Sequence, residues 1–466
     1  MQDGNIPTVE RNRVGALAGL SLAILLSSLG TSIANVALPT LAQHFAAPFP
    51  HVQWVVLAYL LASTVLIAGI GRLGDILGRR RLLLAGLAVF SAASLLAGLS
   101  PSLPFLIAVR AVQGAGAAAM MALAMAFVSE TVPKARIGST MGLLGTMSAV
   151  GTALGPSLGG LLIAGFGWPS IFLIAVPFGI VAFGFVHHFL PSDRKDASET
   201  RFDLVGAILL AISLAAYALA MTSGGGRIGL VNAALVATAI IGAILFVVRQ
   251  SRTAFPLIRP AAFRRPGFSA SLAANILVAT VIMVTLVVGP FYLSRTLGLG
   301  PAEVGFVLAI GPVVSVLTGM LAGRLVDRFG AAPMVAAGLA TMAAGAAGLP
   351  VLSALFGLPG YIAAIVVLTP GYQLFQAANN AAVMTGIAAD ERGVISGLLN
   401  LSRNLGLITG ASLMGAIFTA AAGTRDLAGA EPAAVAFGMQ VTFTVAAALL
   451  LVALGLSLPA FRRAPA

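Results

Sequence analysis

The sequence reads GRLGDILGR at residues 71–79 and GRLVDRFG at residues 323–330. Each copy follows a long apolar segment, so the same charged, glycine-rich turn occupies equivalent points in two halves of the chain. Such a repeat is typical of a duplicated membrane protein. The copies begin 252 residues apart, at Gly71 and Gly323. At about 20 apolar residues per spanning helix, this distance is too long for a simple six-helix repeat. It predicts a pair of additional helices between the halves.

Composition also indicates a membrane protein. Of the 466 residues, 59% are hydrophobic and 9% are charged, and the mean hydropathy is +1.04. A soluble chain cannot bury so much apolar surface. The net charge of +12 does not indicate nucleic-acid binding, because the basic residues are scattered through short loops and only 7% of residues are aromatic. With no Cys and four His, we expect no metal site and no cofactor.

The distribution of positive charge predicts the topology. Fourteen apolar runs are long enough to be spanning helices. If the N-terminus is cytoplasmic, the inner loops and tails hold twenty-one basic residues and the outer loops hold three, Arg227, Arg295 and Arg425. This bias follows the positive-inside rule. We therefore predict an all-α polytopic membrane protein with fourteen transmembrane helices and both termini in the cytoplasm.

The predicted helices fall into three regions. Residues 1–190 form an N-terminal six-helix bundle, and residues 268–466 form a C-terminal six-helix bundle. Residues 191–267 hold two charged linkers and two inserted helices, near 204–223 and 229–249. Because Arg greatly outnumbers Lys and because Ala and Gly are abundant, the composition indicates a GC-rich bacterial genome. We therefore expect the protein in the bacterial inner (cytoplasmic) membrane.

Further motifs accompany the turn of residues 71–81. The fourth predicted helix carries RAVQGAG at 110–116 and the fifth carries GTALGPSLGG at 151–160; residues 29–39 and 168–177 supply two more. Together these motifs resemble the major facilitator superfamily, specifically its fourteen-helix drug:proton antiporter branch, over essentially the whole chain. The resemblance implies the major facilitator fold, multidrug-type efflux by alternating access, and proton coupling.

The repeated turn is a candidate gate. Its glycines allow close packing at the membrane edge. Asp75 can accept hydrogen bonds from Arg, or lie against a helix N-terminus of the opposite half, and so hold the cytoplasmic side shut. The alternative is a basic turn that only sets topology. The candidate gating residues are Gly71, Arg72, Gly74, Asp75, Gly78, Arg79, Arg80, Gly323, Arg324, Asp327 and Gly330.

The fifth helix carries a glycine groove. Gly151, Gly155 and Gly159 recur at every fourth position, and Gly160 follows, which lets another helix approach closely. Pro156 removes a backbone donor and bends the helix. Tight packing and a moving hinge are both consistent with this pattern.

Polar residues inside apolar segments are candidates for the transport path, because a charge in hydrocarbon is costly and usually faces a cavity. The candidate cavity residues are Asn35, Arg110, Gln113, Gln373, Gln376, Asn380, Asn400 and Arg403. For the amides, hydrogen bonding between helices is the alternative. No set of catalytic acids, metal ligands or nucleophile with base is present, so an enzyme is disfavoured. A non-transporting receptor or scaffold stays open.

One position departs from the resembled family. In its first-helix motif an acidic residue normally follows the leucine, whereas here Leu29 precedes Gly30. All fourteen acidic residues lie in predicted loops, tails or helix ends. A buried carboxylate commonly exchanges a proton for a cationic substrate. We therefore predict neutral, zwitterionic or anionic substrates, or coupling through Asp75 or the pair His187 and His188.

These observations predict an alternating-access secondary transporter that exports hydrophobic or amphiphilic small molecules. The alternative is an importer or facilitator of a specific organic anion, favoured by the missing acid and the two arginines. The expected partners are a small-molecule substrate, protons and the lipid bilayer, without nucleic acid. The sequence leaves a periplasmic adaptor open.

Overall fold

The computed structural model describes residues 6–131, 137–191, 193, 203–223, 229–253, 256–257, 267–384 and 392–462. Regular structure in these ranges is helical. We number the long helices in chain order: α1 (Ile6–Val36), α2 (Trp54–Leu77), α3 (Arg79–Gly98), α4 (Leu103–Thr131), α5 (Ile137–Phe166), α6 (Ala175–Phe189), α7 (Leu204–Ser223), α8 (Leu230–Arg252), α9 (Phe268–Phe291), α10 (Pro301–Phe329), α11 (Ala331–Phe356), α12 (Leu358–Met384), α13 (Arg392–Thr409) and α14 (Pro432–Arg462). Short helices lie at Leu38–His44, Phe49–Val52 and Ser170–Leu173, and α13 continues through a π-helical turn, Gly410–Met414, into Gly415–Ala422.

Most of these helices meet the requirements for crossing a membrane. In the described ranges, thirteen helical stretches are long and apolar enough to span a bilayer. The helix α5 occupies the place of the fifth predicted span, but its apolar stretch within the described residues, Val150–Phe166, is shorter. A polytopic all-helical protein is therefore confirmed, while the exact number of fourteen spans stays a prediction.

Two glycines give the repeated turn its shape. Gly78 separates α2 from α3 with φ 95°, and Gly330 separates α10 from α11 with φ 84°. Side chains rarely adopt positive φ, so glycine is the residue that permits this abrupt change of direction. The two sequence copies thus form the same turn at equivalent helix pairs.

The two halves share one pattern of helix packing. In the first half, α1 packs on α5 and α6, α2 packs on α4, and α3 packs on α4 and α6. The second half repeats each pairing eight helices later: α9 with α13 and α14, α10 with α12, and α11 with α12 and α14. The intervening α7 and α8 pack on each other and belong to neither pattern.

Contacts between the halves gather near one end of the helices, which we call the Phe49 end; the opposite end, where α3 begins, is the Arg79 end. The ring of Phe49 packs edge-on against Phe291 and Phe418 at centroid distances of 5.1 and 6.1 Å. The amide of Gln53 donates to the carbonyl of Ala411 in the π-helical turn. The halves are therefore joined by both apolar and polar contacts at the Phe49 end.

Hydrogen bonds to Asp203 join the two inserted helices to each other. Asp203 accepts hydrogen bonds from the Gly206 N–H at 3.0 Å and from the side chains of Arg249 at 3.2 Å and Gln250 at 2.9 Å. Burial opposes ionisation of this carboxyl, but the three donors and the charge of Arg249 outweigh burial and hold the pKa of Asp203 below its usual value.

The helix α7 also bridges the halves. The indole of Trp54 on α2 donates to Thr222 at 3.1 Å. Tyr217 of α7 interacts with Thr409 and Ser412 of the second half. The helix α7 thus covers the junction between α2 and the π-helical turn.

Candidate functional site: a polar cavity between the two halves

A cavity of about 330 Å³ lies between the two halves. Four helices of the first half, α1, α2, α4 and α5, contribute lining residues, and so do α9, α10, α12 and α13 of the second half. Because both halves contribute, any movement of one half against the other changes the shape of the cavity.

The wall formed by the first half is neutral and rich in hydroxyl groups. Its polar residues are Ser27, Ser28, Thr31, Ser32, Tyr59, Ser63, Ser148 and Thr152. Most of these hydroxyls already have a hydrogen-bond partner: Thr31 donates to the Ser27 carbonyl at 3.2 Å, and Thr152 donates to the Ser148 carbonyl at 3.0 Å. This wall can still accept hydrogen bonds from a ligand, but it brings no charge to the cavity.

The wall formed by the second half carries the strongly polar groups. Its polar residues are Thr285, Ser315, Tyr361, Thr369, Tyr372, Gln373, Gln376, Asn400, Arg403 and Asn404. The Gln376 amide nitrogen lies 3.4 Å from the Tyr372 hydroxyl, while its Oε1 and the Tyr361 hydroxyl are buried with no partner among the described residues. Buried polar atoms of this kind normally have partners, so their position in a cavity wall is suited to binding a ligand.

The predicted cavity residues fall into two groups. Gln373, Gln376, Asn400 and Arg403 line the cavity. The other four predicted residues, Asn35, Arg110, Gln113 and Asn380, are not among its lining residues. Asn35 is buried, and its amide donates to the carbonyls of Thr31 and Ser32 on its own helix.

Arg110 lies inside the first half, with 0% of its surface exposed. Its guanidinium donates to the carbonyls of Val55 and Gly30, both at 2.9 Å, and to the Gln113 side chain at 2.5 Å. The Tyr59 ring lies 4.3 Å from the guanidinium carbon, which allows a cation–π interaction. Arg110 thus joins α1, α2 and α4.

Gln113 extends this network to α3, because its amide donates to Ser94 at 2.7 Å. The network also explains how the chain accommodates a glycine where the resembled family has an acid. The backbone carbonyl of Gly30 accepts a hydrogen bond from the arginine, so Arg110 has an oxygen partner on α1 without a side chain there.

The start of α3, in the first copy of the turn, is bound by the end of α6 and by the segment that follows it. The carboxylate of Asp193 accepts from the backbone N–H groups of Arg80 at 2.7 Å and Arg81 at 3.1 Å, at the start of α3. The Arg80 side chain donates to the His187 carbonyl. The side chains of Arg72 and Asp75 lie outside the described part of the structure.

The second copy of the turn has open surroundings. Arg324 and Asp327 are exposed. A Cβ added at Gly323 or Gly330 would meet no described atom within 4 Å. The two copies therefore share backbone geometry but differ in what surrounds them.

The glycines of α5 face two different helices. Atoms of α1 would meet a Cβ at Gly151, Gly155 or Gly159, whereas a Cβ at Gly160 would lie 2.8 Å from the Gly305 Cα of α10. The α5–α10 crossing is thus a backbone-to-backbone contact between the halves. Pro156 takes part in it, because its carbonyl would lie 2.5 Å from a Cβ at Gly305.

Sequence reasoning missed the hydroxyl wall. Ser and Thr are common in spanning helices, where they bond to their own backbone, and so they stand out little from apolar neighbours. The available signal was their spacing: Ser27 and Thr31, Ser28 and Ser32, and Ser148 and Thr152 each lie four residues apart on one helix face.

Three curated proteins resemble this chain over most of their length. The uncharacterized transporter YebQ of Escherichia coli is 35% identical over 86% of this chain and 88% of its own. The riboflavin transporter RibZ of Clostridioides difficile is 30% identical over 86% of this chain and 87% of its own. The multidrug efflux pump LfrA of Mycolicibacterium smegmatis is also 30% identical, over 87% of this chain and 81% of its own.

A solved structure shares the fold. A bacterial homologue of the human lysosomal transporter Spinster, in an inward-facing, unoccupied conformation, matches with a TM-score of 0.70 at 15% identity over 97% of each chain. The family model of the Major Facilitator Superfamily matches residues 20–411 and 271–466. The chain therefore belongs to the Major Facilitator Superfamily of membrane transporters.

Proposed function

We propose that this transporter exports amphiphilic small molecules by alternating access and that the cavity between the halves is its binding site. The observation that carries the proposal is the cavity itself, which is lined by both halves and combines apolar side chains with hydroxyls, amides and Arg403. Apolar surface provides tolerant binding, and the polar groups orient the ligand.

The arrangement of contacts indicates access to the cavity from the Arg79 end, as the first step of export requires. The halves meet at the Phe49 end through Phe49, Gln53 and the Gly160–Gly305 crossing. The positive residues gather at the other end, which the positive-inside rule assigns to the cytoplasm. A cavity closed at the Phe49 end would receive substrate from the cytoplasmic side.

We further propose that the second copy of the turn contacts the first half when the cytoplasmic side closes. Arg324 and Asp327 are exposed charged residues at the Arg79 end of α10. Closing would bring them toward the turn of residues 71–80. In D327N we expect slower transport with unchanged thermal stability, since the carboxylate is exposed in the present conformation.

The proposed export is tested in cells that lack their own major efflux pumps. Cells expressing the chain should survive higher concentrations of amphiphilic drugs than cells expressing a double variant, Gln376→Ala with Asn400→Ala, at equal protein levels. Everted membrane vesicles should accumulate the same drugs. Equal susceptibility across a broad drug panel, with no accumulation in vesicles, would contradict export.

A second candidate function is uptake or facilitated passage of a specific organic anion. The observation that favours it is Arg403, the one charged residue among the described residues that line the cavity. Everted vesicles separate the two functions by the direction of net flux. The relatives named as a multidrug efflux pump and as a riboflavin transporter are consistent with organic substrates of either kind.

A further inference from the structure

Arg403 differs from Arg110 in having no partner among the described residues. Arg110 is enclosed by three oxygen acceptors. Arg403 lines the cavity, is half-buried, and makes no hydrogen bond or ion pair with any described residue. A guanidinium has five N–H donors and stays charged in proteins. An unpaired guanidinium at the edge of a cavity is therefore suited to binding an anionic group.

The surroundings of Arg403 define the rest of the ligand. Asn400 and Asn404 lie three residues before it and one after it on α13, and Gln376 presents an unpaired oxygen from α12. Apolar side chains, including Met121, Leu286 and Leu407, line other parts of the cavity. A ligand that satisfies this set has one anionic group for Arg403, a hydrogen-bond donor for the Gln376 oxygen, and an apolar body.

The described wall of the cavity offers no carboxylate or imidazole that could carry a proton in exchange for this anion. No described residue that lines it is Asp, Glu or His. Acidic residues in the long bundle helices, such as Asp75, Glu130, Glu303 and Asp327, lie within a turn of a helix end. The exposed His187 and His188 lie at the last turn of α6. Arg403 remains attached to its helix, so the charge that crosses the membrane is the charge of the ligand.

We propose, on the basis of the function proposed above, that Arg403 binds the anionic group of an amphiphilic organic anion and that the membrane potential drives the anion outward without exchange for a proton. A potential that is negative inside the cell expels anions. Each elementary charge gains about 2.3 kcal/mol per 100 mV, which corresponds to roughly 50-fold accumulation.

The experiment uses the purified full-length chain in liposomes and 1-anilinonaphthalene-8-sulfonate, an amphiphile whose sulfonate cannot take up a proton near neutral pH. Potassium that is more concentrated outside the liposomes, with valinomycin to carry it inward, makes the interior positive. We expect accumulation of the sulfonate that approaches roughly 50-fold at about 100 mV. A pH gradient applied with the potential clamped at zero should give none above protein-free liposomes.

Matched variants assign the effect to Arg403. Arg403→Gln should slow sulfonate uptake at least about tenfold, while Arg403→Lys should retain a substantial part because it keeps the charge. Thermal unfolding of both variants checks the fold. The uncharged N-phenyl-1-naphthylamine has the same rings without the sulfonate, and it should compete more weakly for the wild type.

The outcomes separate this inference from the proposed function. Sulfonate uptake that follows the pH gradient at zero potential, or that is as fast in R403Q as in the wild type, would overturn the inference. Drug export in cells combined with no sulfonate transport in liposomes would also overturn the inference. In that case the proposed function would stand. If neither drugs nor the sulfonate are moved, the proposed function itself fails.

Discussion

Arg110 illustrates how a buried charge can be paired entirely by protein groups. Its guanidinium is shared between carbonyls of α1 and α2 and the side chain of Gln113, and it lies against the ring of Tyr59. Because Tyr59 also lines the cavity, the network supports the cavity wall from behind. Removing one member of such a network leaves several buried acceptors unpaired.

We therefore predict that Arg110→Met destabilises the protein by about 3 kcal/mol or more. Arg110→Lys should be less destabilised than Arg110→Met, because lysine keeps the charge. It should still be less stable than the wild type, because lysine can donate to fewer of these acceptors. Thermal unfolding of the purified variants measures the effect. A normal unfolding temperature for R110M together with lost transport would instead indicate that Arg110 contacts the substrate.

Gly30 is a residue at which substrate specificity can be tested. A Cβ there would lie 3.0 Å from the Tyr59 hydroxyl and 3.3 Å from Phe90, close to the Arg110 network. Gly30→Asp would place a carboxylate beside this network, and we expect resistance to shift toward cationic drugs. Gly30→Ala is the matched control for size. An equal shift in both variants would show that the carboxylate is not the cause.

At the scale of elements, the crossing of α5 and α10 determines how closely the halves approach. A side chain at Gly160 would meet the Pro301 carbonyl at 2.5 Å and the Gly305 Cα at 2.8 Å. Both are backbone atoms that cannot rotate away. The packing interpretation and the hinge interpretation of residues 151–160 thus concern the same atoms. A crossing that packs the halves tightly is also a contact that must separate when the halves move apart.

We predict that Gly160→Ala favours the conformation that is open at the Phe49 end. The chain has no cysteine, so a single Ser63→Cys in the cavity can be labelled with a membrane-impermeant maleimide added on that side. Labelling should be several-fold faster in G160A. The control is Gly165→Ala on the same helix, where a Cβ would meet nothing within 4 Å. Equal rates in both backgrounds would contradict the prediction.

The inserted pair depends on the ionisation of Asp203. Its folded-state pKa is lowered, so its contribution to stability is present above the unfolded-state pKa of about 3.9 and is lost as the pH falls through the lower folded-state value. We predict that Asp203→Asn destabilises the protein at pH 7 by about 1 kcal/mol, because the charge that strengthens these hydrogen bonds is lost. The difference between wild type and D203N should shrink below about pH 4. A difference that is independent of pH would contradict the role of the charge.

At the scale of the whole molecule, the length of the apolar runs was sufficient to predict the helical fold. The glycine-rich turn together with the motifs at 29–39, 110–116, 151–160 and 168–177 was sufficient to predict the family. Each run maps onto one long helix, and the Gly78 and Gly330 turns have the predicted equivalence. The branch within the superfamily and the boundaries of the two bundles stay predictions.

The cavity was less predictable. Only four of the eight candidate residues line it. Helices such as α4 are apolar on nearly all sides, so their sequence does not indicate which side faces the cavity. Arg110 and Arg403 are both arginines within apolar runs. Only the three-dimensional packing separates the one enclosed by α1 and α2 from the one that lines the cavity.

The topology itself can be tested with reporter fusions. We predict that green fluorescent protein fused to the C-terminus is fluorescent and that alkaline phosphatase inserted at residues 224–228 is active, since that loop should be periplasmic. Phosphatase inserted at residues 132–136 should be inactive. Activity at both loops would contradict the predicted orientation or the number of spans.

The bridge made by α7 has a mechanical consequence. Hydrogen bonding of Trp54 to Thr222 and the interaction of Tyr217 with Thr409 and Ser412 tie the helix to both halves along one flank. The opposite flank is joined by the α5–α10 crossing, which brings backbone against backbone over a larger contact. A side-chain bridge can re-form as the halves rotate, whereas a backbone crossing separates as a unit. We therefore expect the two flanks to move differently during the transport cycle, although the two halves share one fold.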